Sequence, residues 1–253
     1  MEWTDQGIVL AARKHGESSL IVQLLTRSHG RHAGLVRGGA GRRQRGTYQP
    51  GNAVTAHWRG RLAEHLGAYV CEAGSAHAAA LLDDPLRLAA LTAACAVAET
   101  ALPEREPHTA VYEGLLALLD ALGRDDASEE KAGGNLALWG EIYVRWELGL
   151  LGELGYGLDL SACAATGRND DLAYVSPRTG RAVSLSAGEP YHGKLLALPR
   201  FLAGADRASF EEIGEGLRLS GYFLDRHVFA PLDRPPPPAR SRLVDRLTAS
   251  TPT

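Results

Sequence analysis

Gly7-Ile8-Val9-Leu10-Ala11-Ala12, Ser19-Leu20-Ile21-Val22-Gln23-Leu24-Leu25-Thr26 and Gly30-Arg31-His32-Ala33-Gly34-Leu35-Val36-Arg37 are three short apolar runs near the start of the chain. The turn-forming stretches Lys14-His15-Gly16-Glu17 and Arg27-Ser28-His29-Gly30 separate them. Runs of this length, rich in β-branched residues and closed by glycine and polar residues, favour strands over helices. Asn52 to Arg59 alternates, with Val54, Ala56 and Trp58 on one face and Thr55, His57 and Arg59 on the other; this register makes Trp58 a core residue. His65 to Cys71 reads as a fifth strand. Five strands in about seventy residues suit a small closed barrel, because closure removes exposed edges. The five-stranded OB barrel, often a binder of oligonucleotides, is the commonest such object. The strand order does not follow from this pattern.

The same segment is basic. Residues 1–70 carry ten Arg and Lys against four Asp and Glu, a net of +6, while the rest of the 253-residue chain carries 17 against 26, a net of −9. Charge divided in this way points to nucleic-acid or membrane contact by the basic part, or to a soluble domain that is merely arginine-rich. Between the third and fourth strands lies Gly38-Gly39-Ala40-Gly41-Arg42-Arg43-Gln44-Arg45-Gly46. Its glycines predict a mobile backbone, and three arginines in four residues resist burial. Forked guanidinium donors in such a loop suit phosphate oxygens, whereas the plainer reading is a solvated charge run. The strands and their ends add Arg13, Lys14, Arg31, Arg37, Arg59 and Arg61, so the nine candidate DNA-binding residues are these with Arg42, Arg43 and Arg45. Tyr48 is a candidate to stack on bases.

Further along, the period changes. Asp84-Pro85 reads as a capping carboxylate followed by proline at the first helical position. Leu88, Leu91, Cys95, Ala98 and Leu102 then recur at helical spacing, which makes Cys95 a core residue. Pro107 opens a second helix with Val111, Leu115, Leu118, Leu119 and Leu122 on one face. Asn135 caps a third, along which Leu136, Trp139, Tyr143, Trp146 and Leu150 step by three and four; Phe210 to Val228 marks a last one, stopped by Pro231. Residues 157–190 are irregular, and the tail from Pro235 onward reads as a solvated extension.

Catalytic motifs are missing. The chain has no G-x-x-x-x-G-K-[ST], no G-x-G-x-x-G after a strand, no H-E-x-x-H and no G-x-S-x-G. The acidic pairs Asp83-Asp84, Asp125-Asp126 and Asp170-Asp171 fall at helix starts or turns, where capping or solvation accounts for them. No apolar run approaches the roughly 18 residues of a membrane span, the N-terminus is acidic where a secretory leader is basic, and three scattered cysteines suit a reducing cytoplasm.

Taken together, Gly7-Ile8-Val9-Leu10, Gly16-Glu17-Ser18-Ser19-Leu20-Ile21-Val22, Leu25-Thr26, Gly30 and Leu35-Val36-Arg37-Gly38 resemble the N-terminal signature of the bacterial recombination mediator RecO family. Tyr48-Gln49-Pro50, Leu154-Gly155-Tyr156-Gly157-Leu158-Asp159-Leu160 and Phe223-Leu224 extend the resemblance from about residue 4 to 230. It implies an α+β chain: an OB domain (1–76), a helical domain (77–232) and a Pro-rich flexible tail (233–253). It further implies a non-enzymatic, cofactor-free DNA repair protein of the cytoplasm and nucleoid that binds single- and double-stranded DNA and anneals complementary strands. Its implied partners are RecR and the acidic C-terminal tail of single-strand-binding protein (SSB), and through them RecA. Arg145, Arg218 and Arg226 are possible contributors to a basic pocket for that tail. The alternative is a non-catalytic OB adaptor for RNA or a peptide.

Many family members carry a zinc knuckle of two C-x-x-C pairs. Here the matching positions read Cys163-Ala164-Ala165-Thr166 and Ser184-Leu185-Ser186-Ala187, which predicts a degenerate, metal-free knuckle over 157–190.

Overall fold

The computed structural model describes residues 1–124, 134–205 and 207–249. All five expected strands form: β1 (Glu2–His15), β2 (Ser19–Thr26), β3 (Gly30–Val36), β4 (Ala53–Arg59) and β5 (Ala68–Ala73). They close into a barrel in the order β1-β2-β3-β5-β4, with β4 returning to β1. The long first strand makes closure possible. Its first half pairs with β4 from Glu2↔Arg59 to Ile8↔Ala53, and its second half pairs with β2 out to His15↔Ser19. A register shift between Val9 and Ala11 bends the strand where it changes partner. The joint between β3 and β5 is a single parallel pair, Leu35↔Ala68.

The alternation of β4 is realised, with Val54, Ala56 and Trp58 buried inside the barrel among Val9, Val22, Leu24, Val36 and Tyr69. Trp58 donates its ring N–H to the Leu66 carbonyl at 3.1 Å, which satisfies the one polar group of a buried indole. Gly34 allows the Tyr69 ring to cross the interior, since a Cβ there would lie 2.3 Å from Tyr69 Cδ2.

Contacts group Met1–Arg124 with Pro237–Leu243 in one compact unit, and Asp125–Pro236 with Val244–Thr253 in another. The helices up to Arg124 are therefore grouped with the barrel strands. After a short helical turn, α1 (His77–Ala80), the helix α2 (Pro85–Ala101) begins at Asp84, whose carboxylate accepts from the amides of Leu86 and Arg87 at 3.0 Å. Its buried face of Ala90, Ala94, Val97 and Ala98 is made of small residues, which lets the helix approach β1 and β2 closely. Cys95 is buried there as expected, and burial pushes its thiol up to about 12. The helix α3 (Thr109–Leu122) buries Val111, Leu115, Leu118, Leu119 and Leu122, the stripe read from the sequence.

In the second unit, α4 (Gly134–Glu153) packs on α6 (Phe210–Leu224). Glycines bring the two helices together: Gly140 faces Ile213, and Gly216 faces Val144. Within this contact the fully buried Glu147 accepts a 2.5 Å hydrogen bond from Ser220 Oγ. Ser209 and Glu212 form a reciprocal cap at the start of α6, which continues over Asp225–Phe229 as one π-helical turn before Pro231. The irregular stretch supplies β6 (Leu172–Val175), β7 (Ala182–Ser184) and a helical turn α5 (Leu185–Gly188) after β7; with β8 (Leu196–Ala197) just beyond it, these strands form a three-stranded sheet in the order β7-β6-β8.

The tail after Pro235 departs from expectation. It is not a solvated extension but a helix, α7 (Pro238–Ala249), in which Leu243 and Leu247 are buried. Four-residue spacing puts these leucines on one face, and proline at the first position is tolerated because that N–H has no helical acceptor.

Candidate nucleic-acid interface

The nine cations read from the sequence divide into two groups. Arg13 is tied to Glu99 of α2 at 2.7 Å, and Arg31 reaches both Glu104 (3.3 Å) and the Leu102 carbonyl (2.8 Å), leaving only 13% of its side chain exposed. Among the described residues the other seven, Lys14, Arg37, Arg42, Arg43, Arg45, Arg59 and Arg61, have no carboxylate partner, and all seven are exposed. Arg27, which the sequence reading left aside, pairs with Glu113 at 2.8 Å.

The basic loop is folded, contrary to the mobile backbone expected of its glycines. Amide-to-carbonyl bonds from Gly41 to Gly38, Gln44 to Gly41, Arg45 to Gly41 and Thr47 to Gln44 build a run of turns, each at 3.0–3.1 Å. Three further bonds pin the run to its surroundings: Ala40 N donates to Ser18 O (3.0 Å), Asn52 Nδ2 to Gly46 O (2.8 Å) and Gly51 N to Val9 O (2.8 Å). Arg42, Arg43 and Arg45 therefore project from a defined scaffold. Tyr48, expected as a stacking residue, is only 4% exposed and lies in the barrel core, against which Cys71 packs. Burial raises the pKa of the Tyr48 hydroxyl and of the Cys71 thiol, the latter to about 11.

Where this loop crosses the end of β1, it leaves a groove of about 480 Å³. Ala12, Leu20, Ala40 and Tyr48 supply an apolar lining, with Lys14, Arg45 and Glu17 also on its walls. The sequence reading missed this groove, because its two sides lie some thirty residues apart and each is unremarkable alone.

A second cluster involves Trp3, which stacks on His29 with ring centres 4.1 Å apart and packs against Trp58, His32 and Tyr69. His29 is held in turn by Asp5 at 2.8 Å. His32 bonds with the Tyr69 hydroxyl at 2.9 Å, and burial, with the Arg105 guanidinium beside it, lowers its pKa to about 4.

In the 157–190 segment, the fold brings Cys163 and Ser184 together. The buried Cys163 sulfur accepts from the Ser184 amide at 3.3 Å and lies 3.4 Å from Ser184 Oγ. Burial raises this thiol, but hydrogen bonds from the side chains and backbones of Ser184 and Thr166 outweigh it and bring the pKa down to about 6. One thiol and two hydroxyls do not fit structural zinc, which takes four thiolate or imidazole ligands. Of the acidic pairs, Asp84 is a helix cap and Asp170 is held twice by Arg168 at 2.9 Å; Asp125-Asp126 lies outside the described residues. Among the arginines considered for an acidic peptide, Arg145 is committed to the Phe201 carbonyl at 2.6 Å and Arg226 to the Pro177 carbonyl at 3.2 Å. No group of three or more metal-ligating side chains is gathered among the described residues, and no helix there is long and apolar enough to cross a membrane.

Comparison with known proteins covers nearly the whole chain. Residues 1–71 match the family model "Recombination protein O N terminal", and residues 82–235 match "Recombination protein O C terminal". A protein of Rhodospirillum centenum named DNA repair protein RecO is 58% identical over 248 residues, covering 97% of this chain and 94% of its own length. Proteins of the same name from Rhodospirillum rubrum and Phenylobacterium zucineum are 55% and 51% identical, each covering 98% of this chain and 96% and 98% of their own lengths.

Proposed function

The chain belongs to the RecO family of DNA repair proteins, and from that premise we propose that it is a non-catalytic mediator that binds the DNA backbone through its barrel. In this reading it anneals complementary strands and, with RecR, helps load RecA onto single strands coated by SSB, working at the nucleoid in the cytoplasm. The observation that carries it is the set of seven exposed, unpaired cations on the barrel and its folded loop. Annealing requires that two polyanions approach each other, and fixed cations lower that repulsion without reading bases. No step calls for nucleotide hydrolysis, in keeping with the lack of a phosphate-binding glycine motif.

The test is strand annealing with complementary oligonucleotides, bare and coated with SSB, with RecR added or withheld. The expected result is annealing of both substrates and DNA affinity that falls steeply with salt. Affinity for RNA or peptide that hardly changes with salt, together with no annealing, would favour the adaptor reading instead.

A further inference from the structure

We propose that the groove between β1 and the 38–50 loop takes a single unpaired nucleotide, a site that rests on the DNA-binding reading and gives it a strand preference. The groove combines two features that a nucleotide needs side by side. Its lining of Ala12, Leu20, Ala40 and Tyr48 is apolar, as a base requires on leaving water. Lys14 and Arg45 stand on its walls, both exposed and without carboxylate partners among the described residues, so a phosphate there has two cations to meet. Its volume of about 480 Å³ falls in the range of roughly 300–1,000 Å³ typical of small-molecule sites.

Glu17 adds a carboxylate to the lining. A carboxylate repels phosphate but accepts hydrogen bonds from the exocyclic amines of cytosine and adenine. The charges therefore suit a base bearing an amine better than free inorganic phosphate. A paired base has its ring buried in the helical stack and does not reach the lining, so the groove distinguishes single strands from duplex although the surrounding cations do not.

The experiment fills the groove without changing any charge. Ala40→Phe and Ala12→Phe, made separately in the full chain, are expected to weaken binding of a single-stranded oligonucleotide about tenfold while leaving duplex affinity unchanged. A correctly melting variant that binds single strands as tightly as the parent overturns the groove and leaves the DNA-binding reading standing. A parent protein that binds neither single strands nor duplex overturns both. Should both substitutions impair folding, photo-cross-linking of the parent to an oligonucleotide carrying 5-iododeoxycytidine, whose base keeps its exocyclic amine, decides. Cross-links at Tyr48 or its loop neighbours support the site, and cross-links confined to other parts of the chain overturn it.

Discussion

Arg13 and Lys14 are adjacent on β1, yet only Arg13 meets a carboxylate, that of Glu99 on α2 at 2.7 Å. Successive residues of a strand point to opposite faces, so the arginine is turned toward α2 while the lysine lines the groove under the basic loop. Two neighbouring positive charges thus have different prospects of meeting phosphate.

The pair can be separated by salt titration. Each phosphate contact on a single strand contributes about 0.7 to the slope of log affinity against log salt. Lys14→Ala is expected to flatten the slope by about that amount, whereas Arg13→Ala leaves it unchanged. Glu99→Gln, which releases Arg13, is expected to tighten binding. Equal slope changes for the two alanine variants would show that the ion pair does not withhold Arg13.

Arg42, Arg43 and Arg45 sit on one folded loop, so their combined removal measures its share of binding. If single-strand binding neutralises about five phosphates the parent slope is roughly −3.5, and the triple alanine variant is expected to flatten it by about 2. The loss should be alike for every DNA sequence, because phosphate contacts carry no base information. The melting temperature should hardly move, since the arginine side chains are exposed. Unaltered affinity and slope would reduce the loop to a solvated charge run.

His32 makes folding sensitive to acid. Its pKa is lowered from the ordinary 6.5 to about 4 in the folded chain, so the unfolded chain binds the proton first. Stability is complete above pH 6.5 and is lost as the pH falls toward 4, on the order of 3 kcal/mol over that window at 1.36 kcal/mol per pKa unit. Urea unfolding at intervals from pH 4.5 to 7.5 checks this. His32→Gln is expected to be less stable at pH 7 but to show a shallower decline, and an identical decline would assign the effect to other groups.

With Cys163, Thr166 and Ser184 at the positions where the sequence predicts a degenerate zinc knuckle, the purified protein is expected to hold no stoichiometric zinc, and a chelator should leave its melting curve in place. Elemental analysis giving one zinc per chain would mean that ligands from elsewhere had been recruited.

Much of this molecule was legible in its sequence because the governing interactions are local. Period-two alternation decided that Val54, Ala56 and Trp58 face inward, and Asp84-Pro85 announced α2, since pleat geometry and helix capping act within a few residues. The nine candidate cations were legible too, as residue types that resist burial. What the tertiary structure alone decided is which charges remain available. Arg13 meets a carboxylate 86 residues away and Arg31 one 73 residues away, and no local pattern encodes either distance. The same holds for the barrel order β1-β2-β3-β5-β4, the burial of Tyr48, the groove beside it and the packing of Leu243 and Leu247. Each depends on surfaces that come together only when distant segments pack, so periodicity along the chain carries no record of them.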